Sequence, residues 1–258
     1  MQLFVISLDV VIDATWGDIS RQQTREFWLA AIRARWVVAI IGGPPCETWS
    51  QARERSIEGH DFAPRVLRVP EHPWGVPSLR LKELRQIRVG NDLMGFILEA
   101  VVMLYCVGGV AALEHPAEPA SESSVSIWKT PILALLLSLP GIDLVSLAQG
   151  LWGAKSPKPT SFVVVNAPDM RQALRNWQIT RELPKGISIG RDQAGGWSTA
   201  VLKEYPPSLN GGLAAGLLAA IGQCAQDPTH TVPASFVARC APMLCTEYGE
   251  HIGPDFAG

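Results

Sequence analysis

The chain has 258 residues, of which 47% are apolar and 18% charged, and a formal net charge of −2. That balance excludes global disorder and allows one large domain or two small ones. The near-neutral charge excludes an overall basic field, so a site for a polyanion has to be a local patch. Five cysteines stand at 46, 106, 224, 240 and 245, an odd number at irregular spacing with no C-x-x-C. This argues against a disulfide framework or a zinc site and for a reducing, intracellular compartment.

In chain order, LFVISLDVV (3–11) reads as a buried strand. Its start lacks a basic n-region and carries Asp9, so no signal peptide is predicted. DATWGDIS (13–20) reads as a loop. Residues 21–35 place Phe27, Ala30, Ala31 and Ala34 at helical spacing. The apolar run at 36–42 predicts a second buried strand, and it enters the rigid turn Gly42-Gly43-Pro44-Pro45-Cys46. Residues 51–90 are polar and rich in proline and arginine, which predicts a long excursion with some helix over 79–88.

LMGFILEAVVMLYCVGGVAAL (93–113) is long enough and apolar enough to cross a membrane, apart from Glu99. Gly108-Gly109 divides it into a helix and a strand, VAALEHP, as expected of an α/β protein, so no membrane partner is predicted. Loop follows at 114–124, helix at 126–139, and strands at 142–148 and 161–166. Residues 167–200 read as irregular, 208–223 as a close-packed glycine-rich helix, and 227–258 as a poorly structured tail. Strands alternating with helices predict a doubly wound, parallel α/β sheet, with ligands at the carboxyl ends of the strands. Cys46 and Glu114 both lie at such ends.

Gly43-Pro44-Pro45-Cys46, followed by Trp49 and Ser50, resembles the catalytic motif of the C5-cytosine DNA methyltransferases: Pro-Pro-Cys, two variable residues, an aromatic and a serine. Glu114-His115-Pro116 sits where that family has Glu-Asn-Val. Gly17-Asp18-Ile19 is similar to its upstream cofactor loop, and LWGAKSPKPTSFVVV (151–165) to its Gly-Val-Pro-Gln-x-Arg-x-Arg segment. The helix from Asn210 corresponds to the last motif, which returns to the cofactor.

The resemblance implies a Rossmann-like S-adenosylmethionine-dependent methyltransferase sheet with helices on both faces, spanning residues 1–226 as one domain. It implies methyl transfer from S-adenosylmethionine to cytosine, with DNA as partner. The motifs do not separate DNA from RNA. Localisation would be nuclear in a eukaryote and cytoplasmic otherwise. Cys46 would add to C6 of a flipped base, which splits one hard step into two, and Glu114 would hold the N3/N4 edge. Asp9, Asp18, Pro44 and Asn210 would meet the cofactor; Ser50, Arg53 and Lys158 would meet the substrate.

Each of these residues also has a plainer reading. Cys46 can be a packed thiol beside a tight turn, Glu114 a solvated loop acid, Asp9 an acid ending a strand, and Asp18 a turn former. Lys158 can be solvated, and His115 can shape the turn before Pro116. Arg53, Arg55, Arg65, Arg68, Arg80, Lys82, Arg85 and Arg88 can face phosphates or form a salt-bridged surface.

Three departures from the family pattern stand out. The Phe-x-Gly-x-Gly loop and its strand are missing, which predicts weak cofactor binding and a missing N-terminal segment or partner chain. Lys158 and Thr160 replace the paired arginines, and lysine lacks the planar fork of arginine. The span from the strand at 161–166 to Trp197 is too short for an independent target-reading domain. Two competing readings are a non-catalytic nucleic-acid-binding or interaction module and a cysteine hydrolase. The hydrolase would need a histidine base that no motif supplies.

Overall fold

The computed structural model describes residues 3–8, 13, 15–50, 53–54, 65–186 and 204–224. Asp9, Arg55, His60, Trp197 and the tail lie outside the described residues.

Two aspartate turns precede the first helix. Asp13 Oδ1 accepts the N–H groups of Thr15 and Trp16 at 2.7 and 3.1 Å, and Asp18 Oδ1 accepts the N–H and O–H of Ser20 at 3.1 and 2.6 Å. Helix α1 (Gln22–Arg33) follows, and it buries Thr24, Ala31 and Ile32. Phe27, which the spacing assigned to the core face, is 42% exposed and rests against Trp16 and Trp28.

Strand β1 (Ala39–Gly42) leads to the proline turn, and helix α2 (Leu81–Val107) follows as one continuous rod of 27 residues. It joins the two helical stretches that the sequence suggested separately. Glu83 accepts the Arg80 N–H at its start, and Gly108, at φ 72°, ends it by turning left-handed. By length and composition this helix could cross a membrane, but 67% of its most apolar window is buried inside the fold.

Strand β2 (Val110–Pro116) pairs parallel with β1. A short 3-10 turn (Ile127–Lys129) and helix α3 (Pro131–Leu137) follow it. The single helix expected over 126–139 is broken because Thr130 is extended and Pro131 restarts the helix at its first turn. Strands β3 (Ile142–Ala148) and β4 (Pro159–Val165) are joined by a 3-10 turn (Gln149–Trp152) and a short loop. Helix α4 (Met170–Asn176) occupies part of the stretch read as irregular, and α5 (Pro207–Cys224) ends the described chain.

The sheet order is β1-β2-β4-β3. Only β1 and β2 are parallel; β4 runs antiparallel to both its neighbours. The expected all-parallel sheet is therefore corrected to a mixed one. The connection between β3 and β4 has no crossover helix, and a parallel pair needs one. The first expected strand is corrected as well. Residues 3–8 have no regular structure, and Phe4, Val5 and Ile6 are 81%, 96% and 63% exposed.

The two faces of the sheet are covered by different helices, as the period-two alternation along β2 and β4 dictates. Ala111, Leu113, Val163 and Val165 join α2 and α3 in one core. Val110, Ala112, Phe162 and Val164 join Trp152, α4 and α5 in the other. On the second face the glycines of α5 allow a close approach: a Cβ at Gly216 would meet Met170 Sδ at 2.5 Å.

Candidate active site

The parallel register sets Gly42 opposite Leu113, so Gly43 leaves β1 level with Glu114 in β2. Gly43 has no side chain to keep the two apart. A Cβ there would lie 3.3 Å from Glu114 Oε2 and 2.8 Å from the Tyr205 hydroxyl. Three residues on, Cys46 heads a turn closed by the Trp49 N–H on its carbonyl at 2.9 Å. The thiol is half-buried and free.

Four groups converge on this point. The Tyr205 hydroxyl donates to the buried Glu114 carboxylate. The Lys158 ammonium lies 5.5 Å from the centre of the Tyr205 ring, and Phe162 meets that ring edge-on. Lys158 reaches this place from the residue before β4, with a left-handed φ of 37°. Burial pushes the Cys46 thiol up from 9.0 to about 11; the Glu114 charge adds to the rise and Lys158 opposes it. Burial likewise raises the Glu114 carboxyl, against Lys158 and the Tyr205 hydrogen bond. The Tyr205 phenol is held well above its ordinary range by burial and by Glu114.

Among the residues chosen from the sequence, the structure thus brings together Cys46, Glu114 and Lys158. Pro44 is buried in the turn between Gly43 and Cys46, and Ser50 is half-buried at the turn's far end. Arg53 is tied locally: its Nε donates to the Glu47 carbonyl at 2.7 Å and its Nη1 to the Arg65 carbonyl at 3.0 Å. Arg65 in turn pairs with Glu83 at 3.0 Å. Arg68 is only 1% exposed, so it does not face phosphate. Thr160 is also turned inward, accepting from Gln149 Nε2 at 3.0 Å. His115 lies fully buried between Trp49 and Trp128, and burial and Arg68 push its imidazole down to about 3.

The cofactor candidates do not form a cradle. Asp18 spends one carboxylate oxygen on its own turn, and exposed Asn210 donates to the Tyr205 carbonyl at 3.5 Å. Pro44 has no N–H to donate. The described residues therefore do not fit S-adenosylmethionine as a complete site.

Tyr205 is the site residue that sequence reasoning missed. Its only signal is an aromatic hydroxyl placed just before the Pro206-Pro207 start of α5. No protein-family model, curated protein or solved structure matches this chain.

Proposed function

We propose that this chain is a C5-cytosine methyltransferase-like protein that keeps the covalent half of the chemistry, with cytosine in DNA as its substrate. Its sheet is read as the Rossmann-like methyltransferase type, and S-adenosylmethionine as the methyl donor that the motif pattern implies. One observation carries the reading. The Cys46 thiol, in the turn after β1, and the buried Glu114 carboxylate, in the adjacent parallel strand β2, lie close enough to act on each other, with Lys158 and Tyr205 beside them.

Such a cluster of side chains suits addition to a pyrimidine. The Cys46 thiolate bonds to C6, and the C5–C6 π electrons shift into an enamine. The Glu114 carboxyl, its proton affinity raised by burial, delivers a proton to N3. C5 then takes a solvent proton and loses one of its two, and elimination of the thiolate from C6 with return of the N3 proton to the Glu114 carboxylate restores the ring. Lys158 offsets the negative charge of the pair, and Tyr205 orients the carboxylate.

This cycle exchanges the C5 hydrogen with water and needs no methyl donor. DNA labelled with tritium at cytosine C5 should release it to water with the wild-type protein, and Cys46→Ser should reduce release at least ~100-fold, the order of effect of a lost nucleophile. Undiminished release by the serine variant would show that another group does the work.

A second reading, a binding module that has lost the chemistry, is favoured by the cofactor candidates Asp18 and Asn210 being engaged in local hydrogen bonds. It predicts cytosine-DNA binding with no tritium release from either protein.

A further inference from the structure

The assignment of Cys46 as nucleophile leaves open what holds its turn in place, and the inference that follows rests on that assignment. Thr48 and Trp49, the second and third residues after Cys46, are buried, and both end on Arg68. Arg68 Nε donates to Thr48 Oγ1 at 2.8 Å, and the guanidinium carbon lies 4.1 Å from the centre of the Trp49 ring. On its other side Nη1 donates to the Pro73 carbonyl and to Asn91 Oδ1, both at 2.8 Å. Asn91 lies on α2 and passes the link to the Trp74 carbonyl at 2.9 Å. Trp74 meets Trp49 edge-on at 5.3 Å. Gly90 on α2 leaves room for this knot: a Cβ there would lie 3.2 Å from Arg68 Nη2 and 3.5 Å from Thr48 Oγ1.

A guanidinium is expensive to bury and has a planar fork that fixes several partners at once. Here Thr48 and Trp49 belong to the Cys46 turn, and Pro73 and Asn91 belong to the wall behind it. We propose that Arg68 is the positioning residue of the Cys46 turn, bracing it against α2 through Thr48 and Trp49 and so keeping the thiol at the Glu114 pocket.

Among the described residues, the charged and titratable groups that act on the thiol are Glu114 on β2, Lys158 before β4, Glu47 on its own turn and Tyr205 before α5. Arg68 is not among them, so its effect on Cys46 comes through geometry. A turn released from Arg68 lets the thiol into water and toward the ordinary value of 9.0.

The test is the pH profile of iodoacetamide alkylation, read by peptide mass at each cysteine of the full chain. Cys106 and Cys224, half-buried thiols on other elements, serve as internal references. Thr48→Val removes one hydrogen bond, and Arg68→Gly removes the brace and leaves space for a free guanidinium ion. Both variants should move the Cys46 midpoint down from about 11 and leave the reference thiols unchanged. A midpoint one pH unit lower raises the rate at pH 8 about tenfold. Added millimolar guanidinium, but not methylammonium, should restore the Arg68→Gly profile.

An unchanged Cys46 profile, or a change shared by all three thiols, overturns the proposal by making Arg68 an ordinary core residue. If Arg68→Gly fails to fold, Thr48→Val alone decides. Alkylation does not read cytosine chemistry, so failure here is distinct from an absence of tritium release.

Discussion

At Cys46 the protein holds a partly desolvated thiol with a carboxylate near it, and both conditions oppose its ionisation. Glu114 is therefore the residue whose charge can be tested most cleanly. Glu114→Gln keeps the shape and an acceptor for Tyr205 but removes the negative charge. The Cys46 alkylation midpoint should fall from about 11 toward 9.0, with at least a several-fold faster reaction at pH 8. Stability should change in a defined direction. The folded state holds the Glu114 proton more tightly than the unfolded chain does, so this group's stabilising contribution is present at low pH and is lost as pH rises through its folded value. Glu114→Gln should accordingly melt above wild type at pH 8, with the gain shrinking as pH falls through the folded value of the group and gone by its ordinary value of 4.5. A lower melting temperature at pH 8 would show that the carboxylate's contacts outweigh its burial. Cys46 was legible because it follows an apolar strand and carries motif neighbours, and Glu114 because it breaks an apolar run, although Glu114 lies inside β2 and not in the loop expected from 114, since β4 pairs with it through Pro116. Tyr205 was not, because its meeting with Glu114 depends on how α5 packs, and nothing local in KEYPPS encodes that.

At the scale of elements, hydrophobic runs bounded by glycine or proline marked the strands well. VAALEHP lies in β2 residue for residue, set off by the left-handed Gly108 and by Gly109, where a Cβ would meet Leu104 at 2.5 Å. Strand direction was less legible, because the parallel expectation came from counting alternations. The β3–β4 pairing is instead decided by the short connection between the strands. Residues 3–6 show the limit of composition: an apolar run becomes a strand only where a partner pairs with it, and residues 3–8 have none among the described residues. The seam between β1 and α2 carries the site. A Cβ at Gly42 would meet Ile97 Cδ1 at 2.5 Å and its Cγ1 and Cγ2 at 3.0 Å, and Ile97 is buried. Gly42→Ala should therefore cost ~1–3 kcal/mol by overpacking, lowering the melting temperature by about 2–4 °C per kcal/mol. Because Gly42 adjoins the turn, Cys46 alkylation should change with it. A variant as stable as wild type by thermal melting would show that the seam is looser than described.

Across the described residues, the two helical layers bury opposite faces of one sheet, and the Cys46 turn follows β1 beside Glu114 of β2. Cys46 and Glu114 are gathered there, while among the described cofactor candidates only Pro44 shares the Cys46 turn; Asp18 lies in a turn before α1 and Asn210 in α5. Losing two or three hydrogen bonds to charged groups, at ~1.5–3 kcal/mol each, weakens binding by several powers of ten. Calorimetric titration of the chain with S-adenosylmethionine should show no saturable heat at micromolar concentrations. Low-micromolar binding would mean that residues outside the described set complete a cofactor site.

The central claim is that Cys46 and Glu114 form one base pocket with Cys46 as its nucleophile. The most direct measurement is intact-protein and peptide mass spectrometry after incubation with a 5-azacytosine oligonucleotide, in which the ring nitrogen at position 5 makes C6 a stronger electrophile. The predicted result is a single adduct mapped to Cys46, absent in Cys46→Ser and formed at least ~10-fold more slowly in Glu114→Gln, the usual range for a lost proton donor. An adduct on another residue, or none on wild-type protein that still binds the oligonucleotide, would contradict it.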